Sequence, residues 1–308
     1  MIIHVPRPRK EFMRVPTAIR DCVGFVAEAT QPRDATDRIE YDPFGTGFVV
    51  SVDGHYGSSF FYFVTAAHLF RNISEERVAI ILNKKGGGVT QIRSYAKWHR
   101  HPDPSVDVKV LPFDYERDYD VLAVPASILL RSEWLGDKSN IGLGSDVFSV
   151  GLFSMAPGES RNIPLFRYGN IAMLPDSAIQ VEGGFSEVYL IEARSIGGIS
   201  GSPVFVIETV SAEFADATGS PQRIIGLGPR CKLLGLMHGH WDIDQRELNN
   251  PKITPISHSS RMGVNLGIGV VVPAPKILEI LYGSELTEQR NSADLEVGRR
   301  MGMVPHAG

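Results

Sequence analysis

The segment around Ser200 is the part of the sequence best suited to chemistry. A serine stands there among glycines, in GGISGSP (197–203), and an apolar strand pattern follows it. Glycines beside a serine let the backbone turn tightly, so that N–H groups can point at one spot near the hydroxyl. Such a spot could hold an oxyanion. A hairpin turn rich in glycine and serine is the alternative interpretation of this segment taken alone.

Two other segments place a histidine and an acid beside predicted strands. His68 follows two small residues in FVTAAHL (63–69), which leave room for another side chain to pack against the imidazole. Asp107 heads the alternating run DVKV (107–110), and Asp120 heads a second run in DYDVLAV (118–124). A serine hydroxyl is a poor nucleophile at neutral pH and needs a base such as histidine, which a carboxylate can orient. Taken singly, the histidine also fits a structural role and either acid fits a surface turn.

The elements that would position these residues are mostly strands. Short β-branched and aromatic runs recur between Gly, Pro, Asn and Asp, whereas helical periodicity is scarce, so the chain is predicted to be all-β. The predicted strands are 22–27, 47–52, 60–65, 78–82, 108–110 and 121–124 in the first half, and 147–152, 165–173, 188–192, 204–207, 233–238 and 268–272 in the second. One helix is predicted over 275–281, because a proline begins it and Gly283 ends it.

The two sets of strands predict two domains. The segment between them is rich in Pro, Ser, Asn and Gly and favours a connection between domains. We expect an N-terminal domain over 18–125, which carries His68 and Asp107, and a C-terminal domain over 140–283, which carries Ser200. Residues 284–308 are predicted to form a polar tail.

Composition excludes several classes of protein. The chain has 308 residues, of which 43% are hydrophobic and 21% charged, with a net charge of −4 and two cysteines. It can therefore build a core, it has no run long enough to span a bilayer, and no basic face for nucleic acid is indicated. Basic residues follow the short apolar start MIIHV (1–5), the reverse of a secretory signal, so we expect a cytoplasmic protein.

Taken together, the three segments resemble the motifs of the chymotrypsin-like (trypsin-like) serine peptidases, in the order His, Asp, Ser. The resemblance is to bacterial-type members without disulfides. It implies two six-stranded antiparallel β-barrels with a C-terminal helix and an active site between the barrels. It also implies a catalytic triad of His68, Asp107 and Ser200, with the backbone N–H groups of Gly198 and Ser200 as oxyanion hole. The expected substrate is a polypeptide, and no cofactor or metal is expected.

Two further segments resemble the substrate-binding parts of that family. The strand LLGLMHGHW (233–241) is similar to the one that lines the primary specificity pocket, which implies substrate-binding roles for His238, Gly239 and His240. Relatives that cut after Lys or Arg have an acid six residues before the nucleophile, where this chain has Arg194. A basic cleavage preference is therefore not expected, and an acidic and an apolar preference both stay open.

The sequence departs from the family pattern at two places. Relatives that are activated by cleavage have an aspartate before the nucleophile, whereas this chain has Ile199, so we expect no such activation. Lys109 replaces the usual alanine of the aspartate motif, which leaves Asp120 as an alternative to Asp107.

Two alternatives of a different kind also stay open. The pairs His99 with His101 and His238 with His240 could together form a metal site, although no cysteine or acidic cluster completes the ligand set. The second functional hypothesis is a peptidase-like fold that has lost turnover and acts as a peptide-binding or scaffolding module.

Overall fold

The protein is described by a computed structural model. It covers residues 17–30, 40–93, 96–135, 141–153, 156, 158, 160–181, 184–193, 199–208, 211–215, 221–225, 230–244 and 263–303. The architecture is mostly β, as predicted, with two helices at the C-terminal end of the described chain.

The first half forms one eight-stranded sheet. Its strands are β1 (Val23–Ala29), β2 (Tyr41–Asp53), β3 (Ser59–Thr65), β4 (Val78–Asn83), β5 (Val89–Ile92), β6 (His99–Arg100), β7 (Lys109–Pro112) and β8 (Val124–Pro125). They follow the order β5-β4-β1-β2-β3-β7-β6, with β8 parallel to β2 and the other pairs antiparallel. Aromatic and β-branched residues such as those of β3 favour this pleated, half-buried setting.

The second half forms a closed six-stranded barrel. Its strands are β9 (Asp146–Gly151), β10 (Leu165–Met173), β13 (Tyr189–Glu192), β14 (Pro203–Glu208), β17 (Arg230–Asp244) and β18 (Gly263–Pro273), in the order β10-β13-β18-β17-β14-β9. Two hairpins accompany it, β11 (Ile179–Val181) with β12 (Gly184–Ser186) and β15 (Ser211–Ala215) with β16 (Pro221–Ile225).

The predicted pair of six-stranded barrels is confirmed for the second half. In the first half the described strands pair as a sheet, so a second closed barrel stays a prediction, as do the domain boundaries. The strand predicted over 121–124 is reduced to Val124–Pro125. The backbone before it is bound to other segments instead, since Asp120 N–H donates to Asn83 O at 2.8 Å and Leu122 N–H to Asp21 O at 2.8 Å.

The two halves share a hydrophobic core. Its largest cluster includes Phe48 and Val64 of the first half and Phe148 and Phe205 of the second, each fully or almost fully buried. Burial of such side chains contributes about 1.5–3 kcal/mol each. Polar contacts reinforce the junction, because Asn162 N–H donates to the Asn83 side chain at 2.8 Å.

The chain continues into two helices, α1 (Ala274–Leu281) and α2 (Ser284–Arg300). Helix α1 agrees with the predicted helix, but the polar tail expected from residue 284 is wrong over the length of α2. Polar contacts with the first-half sheet hold α2, so an apolar stripe could not reveal it. Asp294 accepts hydrogen bonds from His55 N–H at 2.6 Å and Ser58 Oγ at 2.7 Å, and Arg290 donates to the Tyr62 hydroxyl at 2.9 Å. No helix in the described ranges is long and apolar enough to cross a membrane.

Candidate active site

Ser200 lies in a tight turn just before β14. Its carbonyl accepts the Thr46 N–H of the first-half sheet at 2.9 Å, while Gly201 N–H donates to Met237 O of β17 at 2.8 Å. Gly201 has a φ of +85°, and a Cβ added there would lie 1.9 Å from the Thr46 carbonyl oxygen. Only glycine satisfies both demands, because other residues rarely adopt this backbone conformation. The turn therefore anchors Ser200 to both halves of the molecule.

His68 lies directly after β3, in a 3₁₀ helix over Ala67–Phe70. Thr65, the last residue of β3, is fully buried and donates its hydroxyl to the Thr46 carbonyl at 2.6 Å. Because Ala66 and Ala67 are small and buried, neighbouring groups can pack closely around the imidazole that follows. The strand end thus links the segment that carries His68 to Thr46, the residue whose N–H binds the Ser200 turn.

Asp107 contacts His68 at two points. Its Oδ2 lies 2.6 Å from His68 Nδ1, and its Oδ1 accepts the main-chain N–H of His68 at 2.7 Å. Asp107 directly follows a turn in which Val106 N–H donates a hydrogen bond to Asp103 O at 3.1 Å. A carboxylate that accepts from Nδ1 fixes the imidazole as the Nδ1–H tautomer and leaves Nε2 as the basic nitrogen.

His238 of β17 contacts the same carboxylate. Its Nδ1 lies 2.5 Å from Asp107 Oδ2, and its ring meets that of His68 edge to face with centroids 5.2 Å apart. Only 2% of the residue is exposed. The ring of His238 therefore faces the acid, and the predicted role of this residue in substrate binding stays a prediction. Alternation along β17 could not have shown this, since Leu233 and Met237 on the opposite face are as fully buried as Leu234 and Leu236.

The environment keeps Asp107 ionised. Burial alone raises the pKa of a carboxyl group, but the charges and hydrogen bonds of His68 and His238 outweigh burial here. Together they hold the pKa of Asp107 well below its usual range. A negative charge is thus maintained beside the His68 ring.

Asp120, the alternative acid, lies elsewhere. Its carboxylate accepts a hydrogen bond from the Arg161 guanidinium at 2.6 Å. Lys109, the departure from the aspartate motif, forms an ion pair with Glu75 and lies over the Phe70 ring, 4.2 Å from its centroid. Lys109 therefore has structural partners of its own and does not disturb the contact between Asp107 and His68.

The hydroxyl of Ser200 donates to the His238 carbonyl at 3.2 Å. The structure thus gathers Ser200, His68, Asp107 and His238 around one point between the two halves. Gly239 is buried and His240 half-buried, and β17 pairs them with Val270 and Gly269 of β18. Two predicted residues, Gly198 of the oxyanion hole and Arg194 of the specificity pocket, lie outside the described residues.

The two predicted histidine pairs do not meet as a metal site. His101 Nε2 lies 2.8 Å from Glu279 of α1, and His99 Nδ1 lies 3.3 Å from Glu285 of α2, so both rings face the C-terminal helices. Within the described ranges, the one group with metal-compatible geometry is His68, Asp107 and His238. The hydrogen bonds of both histidine rings to the Asp107 carboxylate account for the cluster.

The sequence match agrees with the fold and the site. Residues 45–209, more than half of the chain, match the family described as a trypsin-like peptidase domain. The chain therefore belongs to the trypsin-like peptidases, which confirms the resemblance found in its motifs. Cys22 and Cys231 are both free thiols, so this member has no disulfide between them.

One solved structure similar to this chain is the protease domain of MamO from Magnetospirillum magneticum. The two chains are 15% identical, with a TM-score of 0.48 over 85% of this chain and 97% of that chain. No curated protein sequence matches this chain.

Proposed function

We propose that this protein is a serine endopeptidase that hydrolyses peptide bonds through Ser200, His68 and Asp107. The observation that carries the proposal is the double contact of Asp107 with His68, at 2.6 Å to the ring and 2.7 Å to the main chain. This contact fixes both the tautomer and the direction of the imidazole, which are the two properties a general base needs. The match to the trypsin-like peptidase family supports the same reaction.

In the proposed acylation step, Ser200 Oγ attacks the carbonyl carbon of the scissile bond. The hydroxyl first exchanges its donation to the His238 carbonyl for one to His68 Nε2, which takes the proton as the C–O bond forms. Asp107 stabilises the resulting imidazolium without becoming protonated. His68 then gives the proton to the leaving amine as the C–N bond breaks, and an acyl-enzyme remains on Ser200.

In the proposed deacylation step, water attacks the acyl-enzyme. His68 takes a proton from the water and returns it to Ser200 Oγ, which releases the carboxylic acid product. The oxyanion of both steps would be bound by the backbone N–H groups of Gly198 and Ser200, an effect worth about 3–4 kcal/mol per donor in a comparable hydrolase. Side-chain substitution cannot remove these donors.

The proposed substrate is an extended polypeptide that lies along β17 near Gly239 and His240. Arg194 would contribute to the specificity pocket. We place the protein in the cytoplasm, a proposal supported by its two free cysteine thiols. Neither nucleic acid nor a membrane is proposed as a partner.

A fluorophosphonate probe tests the proposal because it reacts with activated serines only. The wild-type protein should be labelled at Ser200, and Ser200→Ala should abolish labelling. Ser202→Ala, which changes a fully buried serine two residues away, is the matched control and should still be labelled. His68→Ala should lose activity by on the order of 10⁴-fold or more, because triad members act as a unit. Stoichiometric labelling of Ser200→Ala would contradict the assignment of Ser200 as the nucleophile.

A peptide-binding module without turnover is the second candidate. The observation that favours it is the hydrogen bond from Ser200 Oγ to the His238 carbonyl, because a hydroxyl that donates its proton there does not donate it to a base. The same experiment separates the two candidates. If the wild type, His68→Ala and Ser200→Ala all bind peptides with equal affinity, and the wild type is never labelled, the protein is such a module.

A further inference from the structure

His238 contacts both ends of the proposed catalytic group. Its ring Nδ1 lies 2.5 Å from Asp107 Oδ2, and its carbonyl oxygen accepts the Ser200 hydroxyl at 3.2 Å. Its strand is fixed beside the Ser200 turn, because Gly201 N–H donates to Met237 O at 2.8 Å. His238 therefore links the acid of the first half to the nucleophile of the second.

The protons of this cluster follow from the ionisation of Asp107. A carboxylate has no proton to donate, so each ring nitrogen beside its Oδ2 must carry one. His68 and His238 are therefore both Nδ1–H donors to the same oxygen, at 2.6 Å and 2.5 Å. With the main-chain N–H of His68 on Oδ1, the carboxylate accepts three hydrogen bonds from two residues.

We propose that His238 is a positioning residue, which holds the Asp107 carboxylate in the orientation that aligns His68 with Ser200. This inference rests on the proposed function, because the aligned imidazole is the base of that reaction. Without the second Nδ1–H, the carboxylate would be held by the two His68 contacts alone, and it could tilt about its Cβ–Cγ bond as far as those contacts allow. The ring of His68 would then shift with the carboxylate, away from its alignment with Ser200.

Burial makes this donor difficult to replace. Asp107 is 8% exposed and His238 only 2%. Little water reaches either group, and a buried carboxylate that loses a hydrogen-bond donor is destabilised more than an exposed one. Because His238 belongs to the second-half barrel and Asp107 to the first-half sheet, their hydrogen bond also fixes the two halves relative to each other at the site.

Two substitutions separate the hydrogen bond from packing. His238→Asn keeps an N–H donor, because the Asn side-chain amide nitrogen occupies nearly the same place as Nδ1 of a histidine. His238→Leu keeps apolar bulk and removes the donor. His55→Asn is the control, since His55 is exposed and contacts Asp294 only through its main-chain N–H among the hydrogen bonds described.

The first measurement is proton NMR of protein labelled with nitrogen-15 in histidine. Strongly hydrogen-bonded imidazole protons resonate at low field, so the wild type should show two such signals, each coupled to a ring Nδ1. One signal should disappear in His238→Asn and in His238→Leu, and both should persist in His55→Asn. A wild type with a single low-field signal would overturn the proposal even where both substituted proteins fail to fold.

The second measurement is the rate of fluorophosphonate labelling at saturating and at low probe. His238→Leu should lower the maximal rate by on the order of 100-fold with little change in the half-saturating concentration, because the base is misaligned but the pocket is intact. His238→Asn should recover most of that rate. Equal losses in both variants, or no loss in His238→Leu, would overturn the proposal.

The two measurements also distinguish this inference from the proposed function. A wild-type protein that shows both low-field signals but is never labelled contradicts the proposed function. A wild-type protein that is labelled at Ser200 but shows one signal contradicts the role of His238 alone.

Discussion

Asp107 contacts both the side chain and the main chain of His68. Its Oδ2 lies 2.6 Å from His68 Nδ1, and its Oδ1 lies 2.7 Å from the main-chain nitrogen of His68. The main-chain contact ties the acid to the short helix after β3, and the ring contact sets the tautomer. Because each oxygen of the carboxylate accepts one of these hydrogen bonds, replacing either oxygen by a donor group removes one of the two contacts.

Asp107→Asn should therefore retain the fold and lose turnover by roughly 10⁴-fold, because the amide favours the wrong imidazole tautomer. Asp120→Asn is the matched control and should change turnover little, since Asp120 binds Arg161. Peptide hydrolysis and circular dichroism of both variants provide the measurement. The reverse pattern of losses would assign the role to Asp120.

Gly201→Ala should destabilise the protein and abolish labelling of Ser200. A φ of +85° costs an alanine about 1–3 kcal/mol in strain, and the added Cβ would lie 1.9 Å from the Thr46 carbonyl oxygen, so the turn must also move. Gly57→Ala separates the two effects, because Gly57 has a φ of +80° with open space around it. Denaturant unfolding should show a smaller loss for Gly57→Ala, with labelling retained. Equal losses in the two variants would disprove the clash.

The uncut chain should be active as synthesised. Ile199 precedes the nucleophile and is 4% exposed in the shared core, so it cannot form an ion pair with a newly cut N-terminal amine. Full-length protein of verified mass should react with the fluorophosphonate probe without any proteolytic treatment. The prediction fails if the intact protein is inert and cleavage near Cys22 switches it on.

Cleavage after Lys or Arg should be disfavoured. With Arg194 six residues before the nucleophile, a basic side chain in the pocket would meet a like charge, whereas an acidic one would gain a charge-assisted contact. A mixed peptide library measures the preference, and Arg194→Ala should remove an acidic one. A preference for Leu or Phe would mean that Arg194 faces away from the pocket, and a preference for Lys or Arg would contradict both interpretations.

Asp294→Asn should lower stability near neutral pH and matter less in acid. Burial tends to raise the pKa of Asp294, but hydrogen bonds from Ser58, His55 and Tyr56 outweigh it and lower that pKa. The stabilising effect is therefore complete above the pKa of an unfolded aspartate, about 3.9, and is lost as the pH falls through the lower folded-state value. Melting temperatures of wild type and variant should begin to converge as the pH falls below about 4. A difference that is constant with pH would contradict this account.

Local motifs made much of the site predictable. His68, Asp107 and Ser200 each lie beside a strand whose alternating residues mark it in the sequence, and the structure gathers all three near one point. The barrel of the second half was predictable for the same reason, since each of its six strands has an apolar or β-branched core. Strands β5 and β6 and the four strands of the two hairpins were not predicted, and β6, β11 and β12 have only two or three residues each, too few for a periodic pattern.

Long-range polar contacts made the rest unpredictable. The partner of His238 lies 131 residues away, so no local pattern shows that its ring faces an acid and not a substrate. Helix α2 is similar, because Arg290 and Asp294 bind side chains and backbone of the β2–β3 region more than 200 residues earlier. From the sequence alone, a polar segment whose hydrogen-bond partners are this distant cannot be distinguished from a polar tail.

The contact of Asp294 with the turn between β2 and β3 also sets the order in which the molecule can be completed. It joins residues 239 positions apart, and the contact between His238 and Asp107 spans 131. Neither can form while the ribosome still holds the second half of the chain, because domains fold as their residues emerge. Asp107 therefore lacks its hydrogen bond from His238 until β17 has been made, and the site is assembled only after most of the second half has emerged.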